Sequence, residues 1–279
     1  MRWHTEKIYF PSGDLMLHGI IYLPNSEGRF PGVVMCHGMA SDHRSMRPCA
    51  QQLARQGIAT LALDLRGHGK SNGTLDGGIG QDVAAAYNVL KNHSRVDSEC
   101  IGLVGHSMGA LACLYAATVT NGAKAVVLLS IPAEIGSIAE FWRPMHDQAE
   151  RLGTSVLEFP RIGPLPYAGW LNQQISRLWM RFRKYKLCID INHDTKSWDS
   201  LNPLENIEKI GNIPKLLIHS KGDKWLPYEK TIALYEKAQQ PKEMILFERG
   251  YHVTPLLPGK LRRKWMAWLV STLKVKGDS

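Results

Sequence analysis

The sequence has no apolar stretch long enough to cross a membrane. A transmembrane helix needs about 20 consecutive apolar residues, whereas the apolar run near the C-terminus, residues 265–270, has six. The first ten residues contain neither the apolar segment of a signal peptide nor a small-residue cleavage site. We therefore expect no transmembrane segment and a cytoplasmic location.

Cysteine is scarce and irregularly spaced. The chain has five cysteines, and none of them forms a CxxC motif or a His/Cys cluster of the kind that binds a metal. An odd number of cysteines in mostly apolar surroundings is typical of reduced, buried thiols. We expect no metal ion and no cofactor.

The chain also lacks a stripe of lysine and arginine interleaved with aromatic residues, so nucleic acid is not an expected partner. The net charge is +9 over 279 residues, a modest excess that we attribute to solubility in preference to the binding of anionic surfaces. A hydrophobic content of 44% with 21% charged residues is ordinary for a soluble globular protein. The length predicts one domain with an insertion rather than two equal domains.

Short apolar strands alternate with helical segments along most of the chain. This pattern predicts a mostly parallel sheet with helices on both faces, preceded by an antiparallel hairpin. The predicted hairpin strands are 6–10 and 15–23, the later strands are 31–36, 59–63, 101–104, 125–129, 215–219 and 243–247, and the helices of this part are 46–56, 81–92, a run after Gly109, 228–238 and about 258–273.

The alternation stops after Pro132 and resumes near residue 201. Between them lie four tryptophans, several prolines and many basic residues. Two amphipathic helices are predicted at 141–152 and 171–185, separated by a proline-rich kink at 160–167. We therefore divide the chain into a core, residues 1–132 and 201–279, and a helical cap insertion, residues 133–200.

Residues 105–109 read Gly-His-Ser-Met-Gly and stand between a predicted strand and a run of small helix-forming residues. The spacing fits the G-x-S-x-G nucleophile elbow, in which a strand turns at once into a helix. Such a turn forces Ser107 into strained backbone geometry, and side chains at both flanking positions would collide, so both must be glycine. These five residues alone leave an alternative open, which is a glycine-rich turn that contains a serine without a catalytic role.

A serine hydroxyl is a weak nucleophile and needs an adjacent base that a third group orients. In an open parallel sheet such groups lie on loops at the carboxyl ends of the strands. Asp223 follows the next-to-last predicted strand, and His252 follows the last one. The order Ser107, Asp223, His252 is the Ser…Asp…His order of one large class of hydrolases. Glu134 is an alternative site for the acid, although Asp223 has the better local context.

With these residues the chain resembles the α/β-hydrolases of the serine esterase and lipase kind. The resemblance covers nearly the whole length, and only residues 133–200 match nothing we can identify. The other segments that carry it are His37-Gly38 after the third strand, the D-x-R-G-x-G-x-S stretch at 64–71, Asn202-Pro203-Leu204 with Ile213-Pro214, and Gly222-Asp223 with Leu226-Pro227.

The resemblance implies an α/β-hydrolase fold and a division of roles in one site. Ser107 would attack an acyl carbonyl, His252 would accept and return the proton, and Asp223 would hold the imidazole. The oxyanion would be bound by the backbone N–H groups of Met108 and, by analogy, Met39. At the second of these positions the amides of the residues on either side of Met39 stay open as alternatives.

The expected substrate is a small-molecule carboxylic ester with a hydrophobic acyl group, such as a monoacylglycerol-like lipid. A thioesterase or a serine peptidase of the same fold is the alternative among enzymes. A non-catalytic binding protein on this fold is the alternative outside them, and such a protein is expected to lose a triad member. All three members are present here.

Three further histidines receive structural interpretations: His106 packs beside the elbow, His68 forms a turn, and His219 is a core residue. A basic run on the cap is interpreted as a solvated helix face, with peripheral contact with a membrane left open; it consists of Arg177, Arg181, Arg183, Lys184 and Lys186. Some of the large apolar side chains of the cap are expected to line a mouth above Ser107; these are Phe141, Trp142, Leu152, Phe159, Tyr167, Trp170, Trp179 and Trp198.

Overall fold

The computed structural model describes residues 1–133, 136–159, 181–182, 185–192 and 195–274. Its strands are β1 (Trp3–Ser12), β2 (Leu15–Pro24), β3 (Phe30–Cys36), β4 (Ala59–Asp64), β5 (Val96–His106), β6 (Ala123–Leu129), β7 (Val156–Phe159), β8 (Leu187–Asp190), β9 (Lys215–Ser220) and β10 (Lys242–Phe247). Eight of them form one sheet in the order β1-β2-β4-β3-β5-β6-β9-β10. β2 is antiparallel to both of its neighbours, and the other pairs are parallel.

Helices cover both faces of this sheet. The helices of the described residues are α1 (His43–Arg55), α2 (Ile79–Lys91), α3 (Met108–Val119), α4 (Gly136–Leu152), α5 (Pro203–Lys209), α6 (Tyr228–Lys237) and α7 (Lys260–Lys274), with 3₁₀ turns at Thr195–Leu201 and Thr254–Leu256. Side chains of α2 and α3 belong to one core cluster, and those of α1 and α7 to a second cluster on the other face. Because both faces are covered, the central strands are continuous apolar runs.

The predicted mostly parallel sheet with flanking helices is confirmed. Several boundaries differ from the prediction by a few residues, and two of these differences have a clear cause. α1 begins at His43, three residues earlier than predicted, because the carboxylate of Asp42 accepts a hydrogen bond from the Arg44 N–H at 2.8 Å and caps the helix. β5 begins at Val96, ahead of a polar stretch, because Val96 already pairs with Phe30 of β3.

The insertion was predicted to be helical, but part of it forms β-strands. The helix predicted at 141–152 is present as the end of α4, but β7 and β8 form a separate antiparallel pair. β8 is also joined to the loop after β4, since the Cys188 N–H donates to the Gly67 carbonyl and the Leu75 N–H to the Cys188 carbonyl, both at 2.8 Å. A stretch of four residues does not indicate which backbone groups it will bond to, so this pairing could not be predicted from the sequence. The division into core and cap stays a prediction.

Two aromatic side chains of the insertion contribute to the core. Phe159 and Trp198 are buried in the same cluster as side chains of α2 and α3, so these two side chains attach the insertion to the core. Leu152 is half exposed. The predicted kink at 160–167, nearly all of the helix predicted at 171–185, and Glu134 lie outside the described residues, as do the side chains of the other aromatic residues named for the cap. No helix in the described ranges is long and apolar enough to cross a membrane.

Candidate active site

The turn between β5 and α3 holds Ser107 in the strained backbone geometry that its motif predicts. Its φ and ψ are 54° and −126°, in a region that residues with a side chain rarely adopt. The Ser107 N–H donates to the Leu129 carbonyl of β6 at 2.8 Å, and the Ser107 carbonyl accepts from the Ala110 N–H at 2.8 Å. Bonds on both sides of the residue therefore hold the turn in place.

Both glycines of the motif are required by contacts. A Cβ on Gly105 would lie 2.2 Å from the Gly109 carbonyl oxygen, and a Cβ on Gly109 would lie 2.4 Å from the carbonyl oxygen of His37. Real Cβ atoms do not approach backbone so closely, so the steric reason predicted for the two glycines is confirmed. The close approach also brings the loop after β3 against the start of α3.

Asp223 and His252 come together at the carboxyl ends of β9 and β10. The Nδ1 atom of His252 lies 2.7 Å from Oδ2 of Asp223, and both side chains are buried. An ionised carboxylate only accepts hydrogen bonds, so the proton of this bond is on Nδ1. Nε2 of His252 is then the nitrogen with a lone pair available for a proton.

Asp223 has more donors than the sequence indicated. Its Oδ1 accepts from the backbone N–H groups of Trp225 and Leu226, and Nε2 of His219 lies 3.3 Å from Oδ2. Burial by itself would raise the pKa of Asp223, but the bonds from His219, His252 and Trp225 hold the pKa below its usual range. The carboxylate is therefore ionised at neutral pH, and His219 serves this loop as well as the core.

His106 and Ser130 fix the backbone of His252, which sequence reasoning did not foresee. Nε2 of His106 and Oγ of Ser130 each lie 3.0 Å from the His252 carbonyl oxygen, and both donate to it. The His106 and His252 rings are 4.9 Å apart between centroids. Because His106 directly precedes Ser107, this contact places the loop of His252 beside the nucleophile elbow. The pattern of the chain offers no signal for bonds between residues so distant in sequence.

Two buried histidines hold the loop that follows β3. His37 donates from Nδ1 to the Gly38 carbonyl at 2.7 Å, and its Nε2 accepts from the Leu65 N–H at 3.1 Å. Nε2 of His68 accepts from the backbone N–H of Ala40 at 3.3 Å, and Ala40 has a left-handed φ of 54°. His68 thus does more than form a turn, since it stabilises a strained residue of this loop.

The same loop lies close to Ser107. A Cβ placed on Gly38 would be 3.2 Å from Cβ of Ser107. Met39 follows Gly38, and Met108 begins α3 directly after Ser107. The amides proposed for the oxyanion therefore belong to the two backbone segments that meet at the elbow. In the described part of the chain, neither the Met39 nor the Met108 N–H has a hydrogen-bond acceptor.

One group of side chains among the described residues has the composition of a metal site. His18, His43 and Asp64 place one ligand atom each within 4.8 Å of one another. Nδ1 of both histidines lies 2.8 Å from a carboxylate oxygen of Asp64, which also accepts the N–H groups of His43 and Lys70. Four donors satisfy this carboxylate without an ion, so we interpret the group as an anchor for the loop after β4. The absence of a metal stays a prediction.

Acid is expected to destabilise the fold through His68 and His106. Burial, reinforced by neighbouring histidine charge, lowers the pKa of each to about 3, whereas an unfolded histidine titrates near ~6.5. Between these values the unfolded chain binds protons that the folded chain does not. The free energy of unfolding should therefore fall as the pH drops below about 6.5, by up to about 1.4 kcal/mol per pH unit for each histidine.

Urea unfolding at pH 7.5 and pH 5.0 measures this dependence. The variant His106→Gln removes one of these buried histidines and should show a weaker dependence than the parent protein. His4→Gln, at an exposed position, is the matched control and should leave the dependence unchanged. Equal unfolding free energies at the two pH values would contradict the prediction.

Comparison with known proteins gives a consistent picture. The sequence model of a family described as alpha/beta hydrolase fold matches residues 31–257. The uncharacterised protein YfhR of Escherichia coli K12 is 25% identical over 259 residues, which cover 90% of this chain and 74% of YfhR. The α/β hydrolase GrgF from Penicillium sp. sh18 has a TM-score of 0.77 at 22% identity and covers 97% of this chain and 98% of its own. The esterase Pf2001 of Pyrococcus furiosus has a TM-score of 0.68 at 21% identity, covering 98% and 91%. Likeness at such identities shows the fold.

Proposed function

Because the chain belongs to the α/β-hydrolase family, we propose that it is a serine hydrolase that cleaves carboxylic esters. Ser107 is the nucleophile, His252 the general base, and Asp223 the group that orients the imidazole. The observation that carries the proposal is the 2.7 Å bond between His252 and Asp223. The backbone carbonyl of His252 accepts a hydrogen bond from His106, the residue before Ser107.

The reaction proceeds in two steps through an acyl-enzyme. Oγ of Ser107 attacks the carbonyl carbon, and Nε2 of His252 accepts the hydroxyl proton. Asp223 stabilises the imidazolium, which gives the proton to the leaving alcohol as the ester C–O bond breaks. A water molecule then attacks the acyl group, with His252 again accepting and returning the proton, and the carboxylic acid leaves.

The tetrahedral oxyanion is stabilised by the N–H groups of Met108 and Met39. The N–H of Met108 lies at the N-terminus of α3, where the helix dipole favours negative charge. Met39 is favoured over Ala40 as the second donor because the Ala40 N–H is already engaged by His68. This distinction was open from the sequence.

Ester hydrolysis is favoured over the related activities of this fold. The structural neighbour Pf2001 is an esterase, and its likeness to this chain extends along nearly the full length of both. A thioesterase would use the same groups, and a serine peptidase of this fold usually carries a large extra domain, for which residues 133–200 are too few. A non-catalytic binding protein would not need an ionised, fully bonded Asp223 beside His252.

The substrate class is tested with p-nitrophenyl esters from acetate to laurate, below micelle-forming concentrations, beside a thioester and a peptide amide. A hydrophobic acyl site stabilises each added methylene by about 0.8 kcal/mol, so four more carbons should raise kcat/KM by roughly 100-fold until the site is full. Ser107→Ala is the control for turnover outside the site. A steady decline from acetate would contradict the hydrophobic acyl assignment, and faster turnover of the thioester would favour the thioesterase.

A further inference from the structure

Large apolar side chains are exposed on the two loops that carry Asp223 and His252. Trp225 is 71% exposed and Tyr251 73% exposed, and Val253 and Leu257 are exposed as well. Surface apolar residues scattered singly are ordinary, but a group of them around a buried polar side chain is typical of a binding site. His252 lies between Tyr251 and Val253 in the chain and is itself buried.

Trp225 is the member of this group with a defined contact to the candidate site. Its indole stacks on the imidazole of His252, with 5.4 Å between ring centroids and 29° between ring planes. Its backbone N–H donates to Oδ1 of Asp223 at 2.9 Å. The same carboxylate that orients the histidine therefore holds the backbone of Trp225, and the indole rests on the imidazole while most of the residue is open to solvent.

The reaction places the alcohol portion of an ester next to this indole. His252 must protonate the leaving oxygen, so that oxygen comes within hydrogen-bond distance of Nε2. The substituent on the oxygen then lies beside the imidazole on which Trp225 stacks. A flat, exposed indole offers such a substituent an apolar face for stacking.

We infer that Trp225 is the binding surface for the alcohol portion of the substrate, and that it favours esters of planar aromatic alcohols over esters of saturated alcohols of equal size. The inference rests on the proposed ester hydrolysis and names a substrate class for the leaving-group side. It concerns the alcohol, so it is independent of the acyl-chain preference.

A matched pair of esters isolates the stacking contribution. Benzyl butyrate and cyclohexylmethyl butyrate share the acyl group, and their alcohols are similar in size and acidity, so the ratio of their kcat/KM values reports recognition of the aromatic ring. Trp225→Leu keeps apolar bulk without an aromatic face, and Trp225→Phe keeps the face. Stacking of aromatic rings predicts that the ratio falls about two- to tenfold in Trp225→Leu and stays within about twofold in Trp225→Phe.

Tyr9→Leu is the control, because Tyr9 is another exposed aromatic residue but contacts His18 on β2; its ratio should equal that of the parent protein. If Trp225 only supports the imidazole, Trp225→Leu will slow both esters equally and leave the ratio unchanged, which overturns the inference. If the ratio is unchanged in Trp225→Leu, and this variant no longer sediments with phosphatidylglycerol vesicles that the parent protein binds, the inference is overturned in favour of a lipid-docking surface.

Failure of the proposed function gives a different result. In that case the parent protein turns over neither ester, and ligand-observed NMR of benzyl alcohol and cyclohexylmethanol decides the question instead. Preferential binding of benzyl alcohol to the parent protein, lost in Trp225→Leu and kept in Trp225→Phe, supports the aromatic surface without reference to turnover. Equal binding of the two alcohols to parent and variants overturns it.

Discussion

Replacement of Ser107 by alanine should reduce the kcat for ester hydrolysis by a factor on the order of 10⁶, the loss seen when a triad serine is removed from a hydrolase. The physical reason is that no other group can form the acyl-enzyme, so only binding and oxyanion stabilisation remain. Alanine occupies less space than serine, and the bond from the residue 107 N–H to the Leu129 carbonyl is kept. The variant should therefore fold, as circular dichroism and thermal unfolding will measure.

Ser271→Ala is the matched control for this variant. Ser271 lies on α7, is exposed, and donates from Oγ to the Trp268 carbonyl within its own helix. The Ser271→Ala variant should hydrolyse esters as fast as the parent protein. Near-normal turnover in a folded Ser107→Ala protein would contradict the assignment of the nucleophile and, with it, the proposed mechanism.

Replacement of Asp223 by asparagine should lower kcat by a factor on the order of 10⁴, the loss measured for the same change in a well-studied triad. The amide would offer an N–H₂ group where Nδ1 of His252 now meets an acceptor. His252 would then favour the tautomer with its proton on Nε2, which cannot accept the proton of Ser107. The backbone N–H groups of Trp225 and Leu226, which now donate to Oδ1, still find a carbonyl oxygen there.

Glu134→Gln is the comparison that decides the identity of the acid. It should keep nearly full activity if Asp223 orients His252. A larger loss in Glu134→Gln than in Asp223→Asn would show that the acid lies after β6 and not after β9. Retained folding of both variants, measured by urea unfolding, makes the comparison valid.

Much of the fold was predictable because its signals are local. Apolar runs of four to six residues between helical segments specify a covered parallel sheet, and the observed strands contain every predicted one. The elbow was readable for the same reason, since the demands on Gly105 and Gly109 arise within five residues. The pairing of Asp223 with His252 followed from strand order, because the carboxyl ends of parallel neighbours meet at one edge.

The contacts that the sequence did not reveal join residues far apart in the chain. The His252 carbonyl meets His106 and Ser130 across more than 100 positions, and His68 reaches Ala40 from a different loop. The sequence around a histidine in a turn looks the same whether or not its ring accepts a hydrogen bond from a distant backbone N–H. The β7–β8 pair was missed for a related reason, because four-residue strands within a helical context have no periodicity to read.

The central claim is that Ser107 is activated by His252 and Asp223, and covalent labelling tests it most directly. The folded protein is incubated with a fluorophosphonate at pH 7.5, digested, and analysed by mass spectrometry. The account predicts one adduct, located on Ser107, that forms far more slowly in Asp223→Asn and is absent from Ser107→Ala. A folded protein that acquires no adduct, or that acquires it on another residue such as Ser130, would contradict the account.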